Sequence, residues 1–203
     1  MYVFPATFLN DKNYYSLYSP KPVHLNLLFL KFPIKADCMN GDPKVYETLN
    51  LLQVNFEYNE HPPAPTIEEA KKYWKDLEAT HCKNLFFRNH KGNKHYLVIL
   101  DHLRQLDIHD LEKRLKQGKI SFASEQRMEK YLKLSPGSVS PFGLIHDTEN
   151  HVHIFFDMKL QSSTKISFHP NLNTASLVLK FPDFIKYMDW TGNQYEFIKL
   201  YDD

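Results

Sequence analysis

The chain has 203 residues, 42% of them hydrophobic and 14% aromatic, enough to bury one substantial core and too apolar for disorder throughout. Its 25 basic and 24 acidic residues leave a net charge of +1, which excludes the pervasive positive field of a protein that grips nucleic acid along its whole length. Any nucleic-acid contact is therefore expected to be local, and two cysteines with no ligand spacing, Cys38 and Cys82, fit a reducing, cytoplasmic setting.

Residues 1–38 carry aromatics and prolines but no sustained helical or strand period. They read as an N-terminal extension, upstream of an alternative initiator at Met39, that contributes little to any site. Their apolar run at 23–32 is interrupted by His24, Asn26 and Lys31, and falls short of the roughly 20 residues that cross a bilayer. The first basic residue, Lys12, follows Val3, Phe4, Phe8 and Leu9, the reverse of the order in a secretory signal. No membrane association is expected.

From residue 39 to 203 the pattern is regular and reads as one domain. Asp42 and Pro43 suit an N-cap and first helical position, with Val45, Tyr46, Leu49 and Leu52 on one face. Thr66 followed by Glu69 has capping-box spacing, so a second helix is expected over 67–77, carrying Ala70, Tyr73, Trp74 and Leu77 inward. Two apolar runs, 84–88 and 95–100, flank the turn-forming His90-Lys91-Gly92-Asn93 and predict a hairpin. Leu106, Leu111 and Leu115 predict a helix ending near Gly118, and Ser124 can cap another running to Leu132. Strands are expected at 151–156, 165–168 and 175–179, a helix at 181–190 with Pro182 in its first turn, and a final strand at 195–200. Hairpins mixed with helices indicate an α+β or mixed α/β domain rather than a doubly wound sheet.

Several local features have ordinary explanations. His146, His151 and His153 lie close in sequence, but no cysteine or carboxylate cluster completes a metal site, so no metal is expected. Ser135, Ser138 and Ser140 lack a nucleophile elbow. Lys71, Lys72 and Lys75, and the group from Lys113 to Lys119, are solvated helix faces first and phosphate contacts second.

Three separated stretches carry more. They are Lys83-Asn84-Leu85-Phe86-Phe87, the loop Gly137-Ser138-Val139-Ser140-Pro141 followed by Phe142-Gly143, and Phe168-His169-Pro170 with Asn173 and Thr174. A cation, a Gly/Pro-framed loop able to offer backbone amides, and a histidine suit the hydrolysis of an activated ester. With His61-Pro62-Pro63 leading to Thr66, and with Phe122-Ala123-Ser124, this ordered set resembles the prolyl-tRNA editing domains, the YbaK/ProRS-associated deacylases. Within them it is most similar to the freestanding alanyl-tRNA(Pro) deacylase branch, over roughly residues 43–200.

The resemblance implies a single YbaK-like editing domain over 39–203, with a mixed, largely antiparallel sheet flanked by helices. It implies a trans-editing hydrolase that cleaves the ester of alanine misattached to proline tRNA, without cofactor, metal or protein nucleophile. The alternatives are a deacylase for cysteine or serine on tRNA, or a tRNA-binding module without turnover. The catalytic set it implies is Lys83, Gly137 and His169. Asn84, Phe86, Ser138, Val139, Ser140, Pro141, Phe142 and Asn173 are the substrate-binding set, and Phe86, Val139, Phe142 and Leu144 are expected as a tight apolar wall. The implied partners are the aminoacylated 3′ end and acceptor stem of tRNA, and prolyl-tRNA synthetase.

Overall fold

A computed structural model describes residues 39–202, and the reading of 1–38 as an extension lies outside them. The first helix, α1 (Pro43–Leu51), begins where the sequence places it: Asp42 caps it by accepting the Lys44 amide at 3.0 Å, and Pro43 fills the first turn, where its missing N–H costs nothing. Val45, Tyr46 and Leu49 are fully buried along one face.

The second helix, α2 (Ile67–Trp74), opens on the expected capping box, in which Thr66 and Glu69 satisfy each other's backbone amides. It stops at Trp74, short of the expected Leu77, because the chain turns there to enter the next strand and the Trp74 indole stacks on His81 at 4.3 Å. Tyr73, expected inside, is 38% exposed and lies flat against His61 instead.

The strands are β1 (Phe56–Glu60), β2 (Thr80–Asn89), β3 (His95–Asp101), β4 (Ile120–Phe122), β5 (Val152–Asp157), β6 (Lys165–Phe168), β7 (Ala175–Lys180) and β8 (Tyr195–Ile198). They form one sheet in the order β1-β7-β6-β2-β3-β5-β8, with β4 pairing β2 beside β6. The pairs β1/β7, β6/β7, β2/β3 and β2/β4 are antiparallel, and β2/β6, β3/β5 and β5/β8 are parallel. The expected hairpin is the β2/β3 pair, in register from Cys82 opposite Asp101 to Arg88 opposite His95.

Alternation along β2 divides the core. Cys82 and Phe86 face the larger cluster with Leu97, Ile99, Ile154 and Phe156, closed by α1 and by α5 (Phe181–Thr191) through Phe184, Tyr187 and Met188. Phe87 faces the opposite cluster with Val98, Leu100 and Phe155, closed by Leu111 and Leu115 of α3 (Ile108–Leu115). Each such large side chain contributes about 1.5–3 kcal/mol by leaving water. The remaining helix, α4 (Glu125–Leu132), follows Ser124, whose hydroxyl makes no capping bond.

After α4 the chain runs through the 137–141 loop into a 3-10 turn, Pro141–His146, with Ser140 as its N-cap. The Tyr187 hydroxyl sits 3.2 Å from the Pro141 carbonyl and 3.3 Å from that of Phe142, fixing this turn on α5. Beyond it, buried Asp147 accepts from the Val152 amide and from Asn193 Nδ2, both at 2.7 Å.

Asp147→Ala strands the Val152 amide in the interior and leaves Asn193 Nδ2 only the Val152 carbonyl. It is expected to lower unfolding stability by about 2–3 kcal/mol, read as a shift in the urea midpoint with an unchanged slope.

Candidate active site

Strand β2 is paired with β6 only at Thr80 and His81, and with β4 only from Phe87 onward. Among the described residues, no strand covers that edge of β2 from 82 to 86. The edge is bordered instead by the 137–141 loop, by the turn after β6 and by α2 with its leading loop. Together these enclose a cleft of about 240 Å³.

Lys83 and Asn84 point to opposite faces of β2, as alternation requires, yet both border the cleft because it opens at the strand's edge. The Lys83 ammonium donates to the Arg104 carbonyl at 2.5 Å. Asn84 Nδ2 donates to the Val139 carbonyl at 3.0 Å, while its Oδ1 is buried without a partner. Gly137 and Val139 form the facing wall. Gly137 has φ +80, a left-handed backbone that favours glycine, and its α-carbon packs against Pro65, where an added methyl would meet the Pro65 carbonyl at 3.4 Å.

His169 closes the cleft from the turn after β6. Its carbonyl accepts from Ser140 Oγ at 2.8 Å and from the Asn171 amide at 2.9 Å. Its Nδ1 is buried without a partner.

The Asp42 carboxylate holds this turn from below, with His146 Nε2 at 2.8 Å and Asn171 Nδ2 at 3.0 Å, while the Asp42 amide donates to the Pro170 carbonyl at 2.9 Å. Those contacts outweigh partial burial and keep the Asp42 carboxyl below the ordinary carboxylate range.

A smaller hollow of about 40 Å³ lies behind the first, and the two share the walls Ala64, Ala70, Trp74, Cys82, Asn84 and His169. Asn173 lines this inner chamber with His61, Ser167 and Ser176.

The structure therefore gathers Lys83, Asn84, Gly137, Val139 and His169 around the cleft, with Asn173 on the hollow behind it. Other expected lining residues lie elsewhere. Phe86 and Phe142 are 1% and 0% exposed and belong to the core, because Phe86 shares the inward face of β2 and Phe142 packs edge-on against Phe168 and Tyr187. Leu144 is buried in the same cluster, so of the expected apolar wall only Val139 borders the cleft. Ser138 is buried, and its amide, expected as a free donor, is spent on the Ser135 carbonyl at 3.1 Å. Ser140 and Pro141 shape the loop: the serine ties it to His169 and accepts the Phe142 amide, and the proline starts the 3-10 turn.

Sequence reasoning missed Trp74, Cys82, Ala64, Ala70, Ser167 and Ser176 as lining residues. Small side chains on strands and helices carry no local signal that they face a cavity. The three histidines considered as a metal site turn to separate partners, His146 to Asp42, His151 to His95 and His153 to Glu196. Among the described residues, no helix is long and apolar enough to cross a membrane.

Residues 61–187 match the model of the aminoacyl-tRNA editing domain. The prolyl-tRNA editing protein ProX of Acetoanaerobium sticklandii is 40% identical over 164 residues, covering 80% of this chain and 99% of that protein. The chain belongs to the aminoacyl-tRNA editing domain family. The prolyl-tRNA synthetase associated domain-containing protein 1 of Mus musculus is 33% identical over 150 residues, covering 72% of this chain and 89% of the mouse protein. Among solved structures, one described as a candidate trans-editing enzyme for prolyl tRNA synthetase superposes with a TM-score of 0.57 at 20% identity, over 77% of this chain and 92% of that one. That likeness supports the editing-domain fold.

In this editing domain burial holds three imidazoles, those of His81, His95 and His169, down at about 4. Their unfolded forms bind protons near 6.5, so between these values the unfolded chain takes up more protons than the folded one. Stability is thus complete above pH 6.5 and is lost as pH falls toward about 4. Urea midpoints measured from pH 7.5 down to 4 are expected to fall through this window.

Proposed function

We propose that the protein is a trans-editing deacylase that hydrolyses the ester linking alanine to mischarged proline tRNA. The observation that carries this reading is the convergence of Lys83, Asn84, the Gly137 loop and His169 on one small cleft at the open edge of β2. ProX, the relative at 40% identity over nearly its whole length, is named for prolyl-tRNA editing, which supports the same reading.

An aminoacyl ester offers the site a carbonyl that gains negative charge during attack, an α-ammonium group rich in donors, and a terminal phosphate nearby. Lys83 uses one N–H on the Arg104 carbonyl and has two left for the developing oxyanion or the phosphate. Asn84 Oδ1 and His169 Nδ1 are buried without partners, and with the His169 hydrogen on Nε2 both offer lone pairs matched to an ammonium. A neutral His169 serves this purpose and a protonated one would repel the substrate, which gives its burial a chemical use. Gly137 lets the loop backbone approach the acyl group closely.

Selectivity follows from size. A synthetase pocket shaped for proline rejects smaller alanine by only about 1–3 kcal/mol per missing methylene, so a second site that admits the smaller residue supplies the missing discrimination. The exposed lysines of α2, Lys71 and Lys72, offer salt-sensitive contacts to the acceptor stem. Prolyl-tRNA synthetase, which produces the mischarged substrate, is the natural source of that tRNA. Such an activity belongs where translation occurs, in the cytoplasm.

Purified protein given proline tRNA charged with alanine, cysteine, serine or proline is expected to release alanine fastest and to spare proline. Faster release of cysteine or serine would move the reading to those residues, and absence of release from every substrate would leave a binding module. Lys83→Ala is expected to lower the single-turnover rate about 10²-fold or more, as removal of an oxyanion donor does, with the thermal midpoint little changed.

A further inference from the structure

His61 follows the last residue of β1 and is held there by its own amide, which donates to the Thr174 carbonyl at 2.9 Å. Its Nδ1 lies 2.8 Å from the Pro62 carbonyl, so that nitrogen carries the hydrogen. Nε2 is then the basic nitrogen, and it lies 3.2 Å from Ser176 Oγ, whose hydrogen it accepts. Tyr73 stacks on the ring with its centroid at 5.1 Å and an interplanar angle of 10°. His61 is 9% exposed and Ser176 4%. A base whose tautomer is fixed by a third group, and whose free nitrogen meets a hydroxyl, is the arrangement that moves protons in hydrolytic sites.

The setting excludes an idle pair on the surface. Both side chains line the inner chamber of about 40 Å³, whose walls also include Asn84 and His169. One water needs roughly 10–15 Å³ of such space and two to four polar partners, so the chamber suits two or three waters and is too small for a ribose ester. Its shared walls place those waters beside the acyl group in the outer cleft.

Resting on the deacylase reading above, we propose that the inner chamber delivers the attacking water and that His61, acting through the Ser176 hydroxyl, accepts its proton. The water oxygen bonds to the acyl carbon. One water hydrogen passes to Ser176 Oγ as the serine's own hydrogen passes to His61 Nε2. The carbonyl electrons move onto oxygen, then return as the bond to the ribose oxygen breaks, and that oxygen takes the proton back from His61. One water is consumed, and free alanine and uncharged tRNA result. The groups facing His61 are Tyr73 from α2, His169 across the chamber and Cys82 from β2. His169 stays neutral during the transfer because a charge on His61 opposes one on it.

Single-turnover hydrolysis of alanyl-tRNA(Pro) between pH 5 and 9 tests this with wild type, His61→Gln, His61→Ala and Ser176→Ala, each checked for its thermal midpoint and its affinity for uncharged tRNA. His61→Gln is expected to fall about 10²–10⁴-fold across the range and to bind tRNA within about threefold of wild type. Added imidazole is expected to restore part of the His61→Ala rate. Ser176→Ala is expected to lose about 10-fold or more, and decides the matter if the His61 variants do not fold. An unchanged rate in folded His61→Gln would overturn the proposal while leaving the deacylase reading intact. So would altered preference among alanine, serine and glycine with an unchanged rate on alanine, since that marks the chamber as a side-chain pocket. Wild type that hydrolyses none of the charged tRNAs would overturn the deacylase reading and this proposal with it.

Discussion

The Val139 carbonyl accepts from Asn84 on β2, so one oxygen joins the loop to a strand far from it in sequence. Ser140 beside it extends the junction by donating to the His169 carbonyl. These bonds hold the loop on its cleft side as the Tyr187 contacts hold it on the far side, which fixes the wall opposite β2. The left-handed Gly137 is what lets the loop reach this junction while passing close over Pro65. Positioning, rather than any unusual reactivity of a single side chain, is the principal property of this site.

The same junction explains the contrast between histidines. His169 and His81 are held neutral by burial next to the cleft, and His95 by burial away from it, so each trades acid stability for a fixed uncharged ring. An uncharged imidazole at His169 leaves an acceptor where a donor-rich ligand is expected, which a solvated histidine could not guarantee near neutral pH. His61 differs in its partners, a backbone carbonyl that fixes its tautomer and the Ser176 hydroxyl.

Much of the architecture was legible in the sequence because strong local signals agreed with the tertiary structure. The Asp42-Pro43 cap, the Thr66 capping box, the Gly92 turn and the Pro182 helix start each mark an element that forms where expected. The elements missed were weak ones: β1 is an edge strand with polar residues on both faces, and β4 has three residues. Motif spacing led to Lys83, Asn84, Gly137 and His169, but the sense of each neighbour was harder to obtain. Phe86 and Phe142 read as pocket walls because they sit beside motif residues, whereas strand alternation and ring packing turn them into the core. The lining alanines and serines carry no periodic or motif signal, and only the fold reveals that they face a cavity.

The Asp42 carboxylate caps α1 and also grips His146 and Asn171 beneath the His169 turn. Helix α1 contributes no side chain to either hollow, yet its first turn is the footing on which the histidine stands. A transplant of the catalytic strands onto another scaffold would therefore have to carry this helix start along, or rebuild an equivalent anionic post at the same spot.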